Sequence, residues 1–371
     1  MADMNITPAR AGLTPTIWDR NFFNEYIRTN QFSRYFGTDE NSMIQLNSAL
    51  GKEEGDSVVF AAVRRLKGAG VTGNVVLEGN EEVLNARSFK LTIGVIRHAV
   101  AVSQWDEQKS AIDLRDAARS ALMNWEKEKM RNDIISSLGA ITADNDVSLT
   151  YAAATAGQRN TYLVNNADRI LFGAAIANGV SGVFATALAT IDNTADKLTG
   201  AVVNLAKRRA RLADPHIRPI RINNDEEWYV LFVPSLAWRD LSSDSAVVEA
   251  TKLAWDRGAD NPLFTGGDLL YNGVIMREIP ELPVLKTTDT GGSTIDVAAS
   301  YLCGAQALGI GWAQRATTRT NVRDYGFMNG VAVQEMRGIG KLRWGVDATT
   351  DKTAPVDAGV VTIWTAAVAD A

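Results

Sequence analysis

Cysteine is almost absent: of 371 residues only Cys303 carries a thiol. An intramolecular disulfide is excluded, and no set of thiols remains to hold zinc or an iron–sulfur cluster. Histidine is nearly as scarce, with only His98 and His216, neither next to a cysteine or a second imidazole. A metal site is not expected, nor a histidine-based nucleophile. An excess of positive charge is also missing. With 38 Lys plus Arg against 43 Asp plus Glu the formal net charge is −5, which disfavours bulk attraction to nucleic acid or to an acidic membrane. Met1 to Thr14 is polar and broken by Pro8 and Gly12, without the basic-then-apolar order of a signal peptide, so synthesis in a reducing cytoplasm is expected. Long apolar runs are lacking as well. Ile170 to Ile191 carries no charge over a span-like length, but it is mostly Ala, Gly, Ser and Thr around an Asn178-Gly179 turn signal, which does not partition into lipid.

What is present is ordinary folded-protein material, 46% hydrophobic and 22% charged, long enough for two or three compact units. The first fifty residues scatter Trp18, Phe22, Phe23, Tyr26, Phe32, Tyr35 and Phe36 without a sustained period, and such a segment needs another surface to lie on. From Ser57 to Ser103 β-branched runs (Val58-Val59-Phe60, Val75-Val76-Leu77, Phe89 to Ile93, Val95-Ile96) alternate with glycines at 68, 70, 73 and 79. This predicts an extended β-ribbon, and the interleaved Arg64, Arg65, Lys67, Arg87 and Lys90 predict that it projects from the body.

Residues 95 to 138 contain neither Gly nor Pro, and Ala111, Leu114, Ala118, Ala121, Leu122 and Trp125 recur at helical spacing, followed by Ile134, Ile135 and Leu138. The pattern predicts one long helix from about Asp106 to a stop at Gly139, about 50 Å long. A second helix is expected from an N-cap at Thr194 to Asp214-Pro215, with Leu198, Val202, Leu205 and Leu212 on one face. Strand-like runs follow at Trp228 to Val233, Gly273 to Met276, Tyr301 to Trp312, Gly330 to Gln334 and Gly359 to Trp364. Ribbon, helix, mixed segment, helix and strands make an α+β architecture rather than a regular βαβ alternation.

No motif carries chemistry. Gly68-Ala69-Gly70-Val71-Thr72-Gly73 spells a dinucleotide fingerprint, yet strand-like Asn74 to Leu77 follows where a helix must begin. Gly338-Ile339-Gly340-Lys341 resembles the end of a phosphate loop, but Leu342 stands where Ser or Thr must bind magnesium. Tyr301 to Ala305 predicts a buried, inert Cys303. The cations Lys207, Arg208, Arg209 and Arg211 complement the negative end of the second helix. Neither catalytic, cofactor nor metal-binding residues are expected.

The order of elements resembles the major capsid proteins of tailed bacteriophages, the Hong Kong 97-like fold. Local likenesses lie in Trp228 to Ser235, similar to the strand and turn after the family's second helix; in Gly267 to Pro280; in Tyr301 to Trp312; and in Gly330 to Trp344. The resemblance implies an N-terminal arm over 1–50 and an extended loop over 51–103. It also implies a peripheral domain over 104–191 and 319–371 with its spine helix at 106–138, and an axial domain over 192–318. In the family the loop lies over a neighbouring subunit and the arm straps another. Assembly contacts are therefore expected from Trp18, Phe22, Phe23 and Tyr26 of the arm and from Arg64, Arg65, Lys67, Arg87 and Lys90 of the loop. The implied activity is self-assembly into hexamers and pentamers of an icosahedral head enclosing double-stranded DNA, contacted non-specifically, within a virion assembled in the host cytoplasm. With no long helical prodomain ahead of the arm, a separate scaffolding protein is the implied partner, beside a portal and a decoration protein. A cytoplasmic α+β enzyme forming a small oligomer and a nucleic-acid module remain as alternatives, the latter resting on Arg208, Arg209 and Arg211.

Overall fold

The computed structural model describes residues 31–48, 55–63, 66, 68–74, 76–84, 86–110, 112–222, 226–255, 269–290, 293–345 and 352–370. They fall into two compact units. The larger takes the described residues of 31–95, 129–315 and 336–370, and the smaller those of 96–128 and 316–335.

The larger unit is built on a sheet in the order Leu269–Tyr271, Val274–Glu278, Glu226–Val233, Val297–Cys303, Val360–Ala366, Ile170–Phe172. Every residue of Val297–Cys303 and Val360–Ala366 is buried, because both faces of the sheet are covered. On one face Tyr229, Leu231, Leu302, Val361 and Ile363 meet Val202, Val203 and Ala206 of the helix Gly200–Leu212. On the other, Val230, Phe232, Ala299, Tyr301 and Trp364 join the core that holds Ile134, Ile135 and Leu138 of the long helix. A strand buried on both sides reads as a continuous apolar run, which is the pattern that made these strands visible in sequence.

Several elements differ from expectation. The long helix spans Leu114–Leu138, not 106–138. A separate short helix, Gln104–Lys109, precedes it, capped by the Ser103 hydroxyl, which accepts from the Asp106 N–H. Asp113 then accepts from the N–H groups of Arg115 and Asp116 and starts the long helix afresh. The second helix begins at Gly200 rather than near Thr194, because its leading N–H is taken by the Asp244 carboxylate at 2.7 Å, from 44 residues further along. Leu198, Val202 and Leu205 are buried as expected, whereas Leu212 is 76% exposed. The expected run from Tyr301 to Trp312 is two strands, Val297–Cys303 and Leu308–Arg323. Between them the chain turns tightly: a Cβ on Gly304 would lie 2.3 Å from the Arg218 carbonyl oxygen, and Gln306 has φ of 57°. Ile170 to Ile191 contains a three-residue strand and the short helix Phe184–Ala189. No helix among the described residues is long and apolar enough to cross a membrane.

Gly94–Ser103, expected within the extended loop, is instead a sheet strand beside Met328–Lys341. Its alternate residue Val100 packs with Leu122, Val331 and Val333, the core of the smaller unit.

Candidate assembly surfaces

The ribbon is a two-stranded antiparallel ladder, Ser57–Val63 against Ala86–Thr92, with Phe60 opposite Phe89 and Val58 opposite Leu91. Those four side chains are buried and pack with Leu342 and Trp344. The same alternation turns Val59 and Val63 outward. The neighbouring strand passes so close that it must lack side chains: a Cβ on Gly338 would lie 2.4 Å from the Thr92 carbonyl oxygen, and one on Gly340 would lie 2.9 Å from Leu91. Two polar ties complete the anchorage. The Lys352 ammonium donates to the Ser88 carbonyl at 2.8 Å and pairs with Asp146, whose carboxylate also accepts the Lys90 N–H at 3.3 Å.

Beyond this base the ribbon has no regular ladder among the described residues. Leu66, Val76, Leu77, Val83 and Leu84 are all exposed, Val83 by 75%. The tip keeps its shape through carboxylates on backbone amides: the Gly79 N–H donates to Glu81 at 2.8 Å and the Gly68 N–H to Glu82 at 2.6 Å. Gly70, Gly73 and Gly79 take positive φ in these turns. The fingerprint-like glycine string is thus a turn with no helix after it.

The predicted contact residues are placed unevenly. Trp18, Phe22, Phe23 and Tyr26 of the arm, and Arg64, Arg65 and Lys67 of the ribbon, lie outside the described residues. Lys90 is exposed on the outer face of the ladder. Arg87 is a correction: it is buried, because it shares the inward face with Phe89 and Leu91. There it lines a cavity of about 430 Å³ with Asp214, His216, Arg218 and Trp344.

The groups weighed for chemistry have structural tasks. Lys341 of the phosphate-loop-like string is buried, and its ammonium donates to Asp357 at 2.9 Å, to the Tyr162 hydroxyl at 3.1 Å and to the Ala140 carbonyl at 3.1 Å. Tyr162 in turn donates to Asp357 at 2.6 Å, and burial beside that carboxylate holds its phenol well above the ordinary range. Burial pushes the Cys303 thiol up to about 12, so it stays protonated. His98 stacks on Trp125 with ring centroids 4.7 Å apart. Of the basic cluster, Lys207 donates to the Asn272 carbonyl, Arg209 to the Ala167 carbonyl and Arg211 to Glu227, so three of its four cations are engaged within the subunit. Among the described residues no group of three or more metal-binding side chains comes together.

Comparison with known proteins finds phage capsid proteins. The major capsid protein of Pseudomonas phage KPP25 is 26% identical over 363 residues, 95% of each chain. The capsid of cyanophage Pam1 superimposes with a TM-score of 0.87 at 30% identity, over 99% of this chain and 100% of that one. The capsid of Ralstonia phage GP4 shares the fold with a TM-score of 0.75 at 23% identity, over 96% of each. The sequence profile of the phage capsid protein family matches residues 7–369, and the chain belongs to that family as a major capsid protein, a structural subunit of the phage head.

Proposed function

We propose that copies of this chain close into hexamers and pentamers and then into an icosahedral head around double-stranded DNA, acting by assembly alone and without turnover of a small molecule. In this reading residues 1–50 form an arm that straps a neighbour, and the ribbon is the extended loop laid over another. Residues 104–191 with 319–371 form the peripheral domain and 192–318 the axial domain. Heterologous, head-to-tail contacts of that kind close into rings, and many modest contacts summed along arm, loop and axial domain let a growing shell correct errors. The observation that carries the reading is the ribbon: its base is packed and tied to the body, while its outer half exposes five large apolar side chains. Apolar surface held out on a rigid stem is the mark of an interface with another chain. A separate scaffolding protein, a portal and a decoration protein are the further partners, synthesis is in the host cytoplasm, and the DNA is contacted without sequence readout.

Electron microscopy with light scattering on the purified protein, with and without a co-encoded scaffolding protein, tests this. Closed shells, tubes or hexameric rings are expected. A uniform monomer or dimer under every condition would overturn it. Deleting residues 1–30, or shortening the ribbon between Gly68 and Gly79, is expected to leave a folded subunit that closes no shells. Normal particles from both deletions would remove the arm and ribbon from the mechanism.

A further inference from the structure

Beside the last turns of the long helix the larger unit holds a cavity of about 350 Å³. Its walls are apolar: Ile135 from the helix, Ala299 and Trp364 from the paired strands Val297–Cys303 and Val360–Ala366, and Tyr151 and Leu285 beside them. The space has a cause in the sequence. Along Val297–Cys303 the residues facing this core are Val297, Ala299, Tyr301 and Cys303, and the smallest of them, Ala299, stands directly across the ladder from Trp364. The indole leans instead on Phe184 and Tyr151, with ring centroids 5.9 and 6.0 Å away, so the methyl of Ala299 leaves room in front of it.

One polar group is aimed between these walls. Tyr301 is only 2% exposed, and its hydroxyl lies at the cavity next to Gly139, where a Cβ would come within 2.9 Å of the oxygen. The glycine leaves that oxygen open, and the hydroxyl makes no hydrogen bond among the described residues. Burial holds the phenol above its ordinary range, so it keeps a proton to donate. A buried hydroxyl without a partner is costly until an acceptor reaches it. Charge is settled by contrast. Among the described residues of the lining only Glu281 is charged, and it is paired with Arg131 at 3.2 Å, which favours a neutral occupant.

We propose that this cavity binds a small neutral organic molecule with an apolar ring and one carbonyl- or ether-type acceptor, and that the acceptor takes the hydrogen bond of the Tyr301 hydroxyl. A mostly apolar lining around one oriented polar group, at this volume, is the make-up of small-molecule sites. A Leu, Ile, Phe or Trp side chain from another chain would fill the walls and leave the hydroxyl without an acceptor. Water would satisfy the hydroxyl and gain little from the walls. The inference concerns the folded subunit and does not depend on how copies assemble. Since the walls come from the helix end and two central strands, occupancy stabilises the folded state by mass action.

Acetophenone and α-methylstyrene are the probes that test it: both carry a phenyl ring and a planar branched substituent, but only the ketone has an acceptor. Ligand-detected NMR on the purified full-length chain gives a dissociation constant for each, and both are expected to bind. Tyr301→Phe is expected to weaken acetophenone by about threefold or more. The same variant should leave α-methylstyrene unchanged or bound more tightly, because no unpaired hydroxyl is then covered by it. Ala152→Trp, at an exposed position of the lining, is expected to block both probes. A divergence between two probes of one shape is a result that a merely structural role for Tyr301 does not produce. Failure of the wild type to bind either probe overturns the proposal. So does a Tyr301→Phe chain that alters both alike, or unchanged binding by an Ala152→Trp chain that circular dichroism shows to be folded. If Ala152→Trp does not fold, the Tyr301→Phe comparison decides alone.

Discussion

The two ends of the ribbon are made of the same residue types and behave oppositely. At the base, Val58, Phe60, Phe89 and Leu91 alternate inward onto Leu342 and Trp344, so the ladder has an inside and an outside. At the tip, Val76, Leu77, Val83 and Leu84 have no inside, and all four are exposed. Apolar composition alone does not say whether a segment belongs to its own core or to a neighbour. What separates the ends is whether the same chain supplies the second surface, which at the base it does with a strand stripped to glycine at 338 and 340.

Lys341→Met would break the support beneath the base most severely. It leaves Asp357 buried without its cation, and a lost half of a buried pair costs about 3–5 kcal/mol, read as a lowered midpoint in urea unfolding. Leu91→Ala should destabilise the subunit by about 2–3 kcal/mol in the same measurement, since the site is buried at the edge of a small cluster. Gly338→Ala should cost about 1–3 kcal/mol, because the new methyl meets a backbone oxygen that cannot swing away. At the other end, Leu77→Ser with Val83→Ser should change subunit stability by no more than about 0.5 kcal/mol yet lower the yield of closed shells seen by microscopy. A loss of stability there as large as at Leu91 would break the contrast between base and tip.

The smallest effect lies outside the ribbon and serves as a control on the body. Asp192 accepts the N–H groups of Ala195 and Thr194, and these bonds hold its carboxyl below the ordinary 3.8. A depressed folded-state value stabilises above the unfolded-state value, and the gain disappears as pH falls through the folded one. Asp192→Asn should therefore narrow the difference in melting temperature between about pH 6 and about pH 3, with little change in assembly.

Much of the fold was legible because its strands are buried on both faces. Trp228 to Val233 and Gly359 to Trp364 announce themselves as apolar runs, and the long helix as a stripe ending at Gly139. Helix starts were less legible, for a local and a distant reason. Ser103 and Asp113 both have capping side chains, and the apolar stripe runs through the break between them. The second helix takes its cap from Asp244, which no local pattern reveals. Of the contact residues, Lys90 and Arg87 sit in one strand, and period two separates them: Arg87 falls in step with the inward Phe89 and Leu91, Lys90 out of step. That signal was in the sequence and marks which of the two is exposed.

The sealed thiol has a practical side. With Cys303 buried and its acidity pushed to about 12, fewer than about one molecule in ten thousand presents a thiolate near neutral pH. The folded chain is in effect a thiol-free background. A cysteine introduced on the exposed tip, as Val76→Cys, would be the single position open to a maleimide dye. Its reactivity in free subunits and in finished shells would then report how far each tip is covered as the head closes.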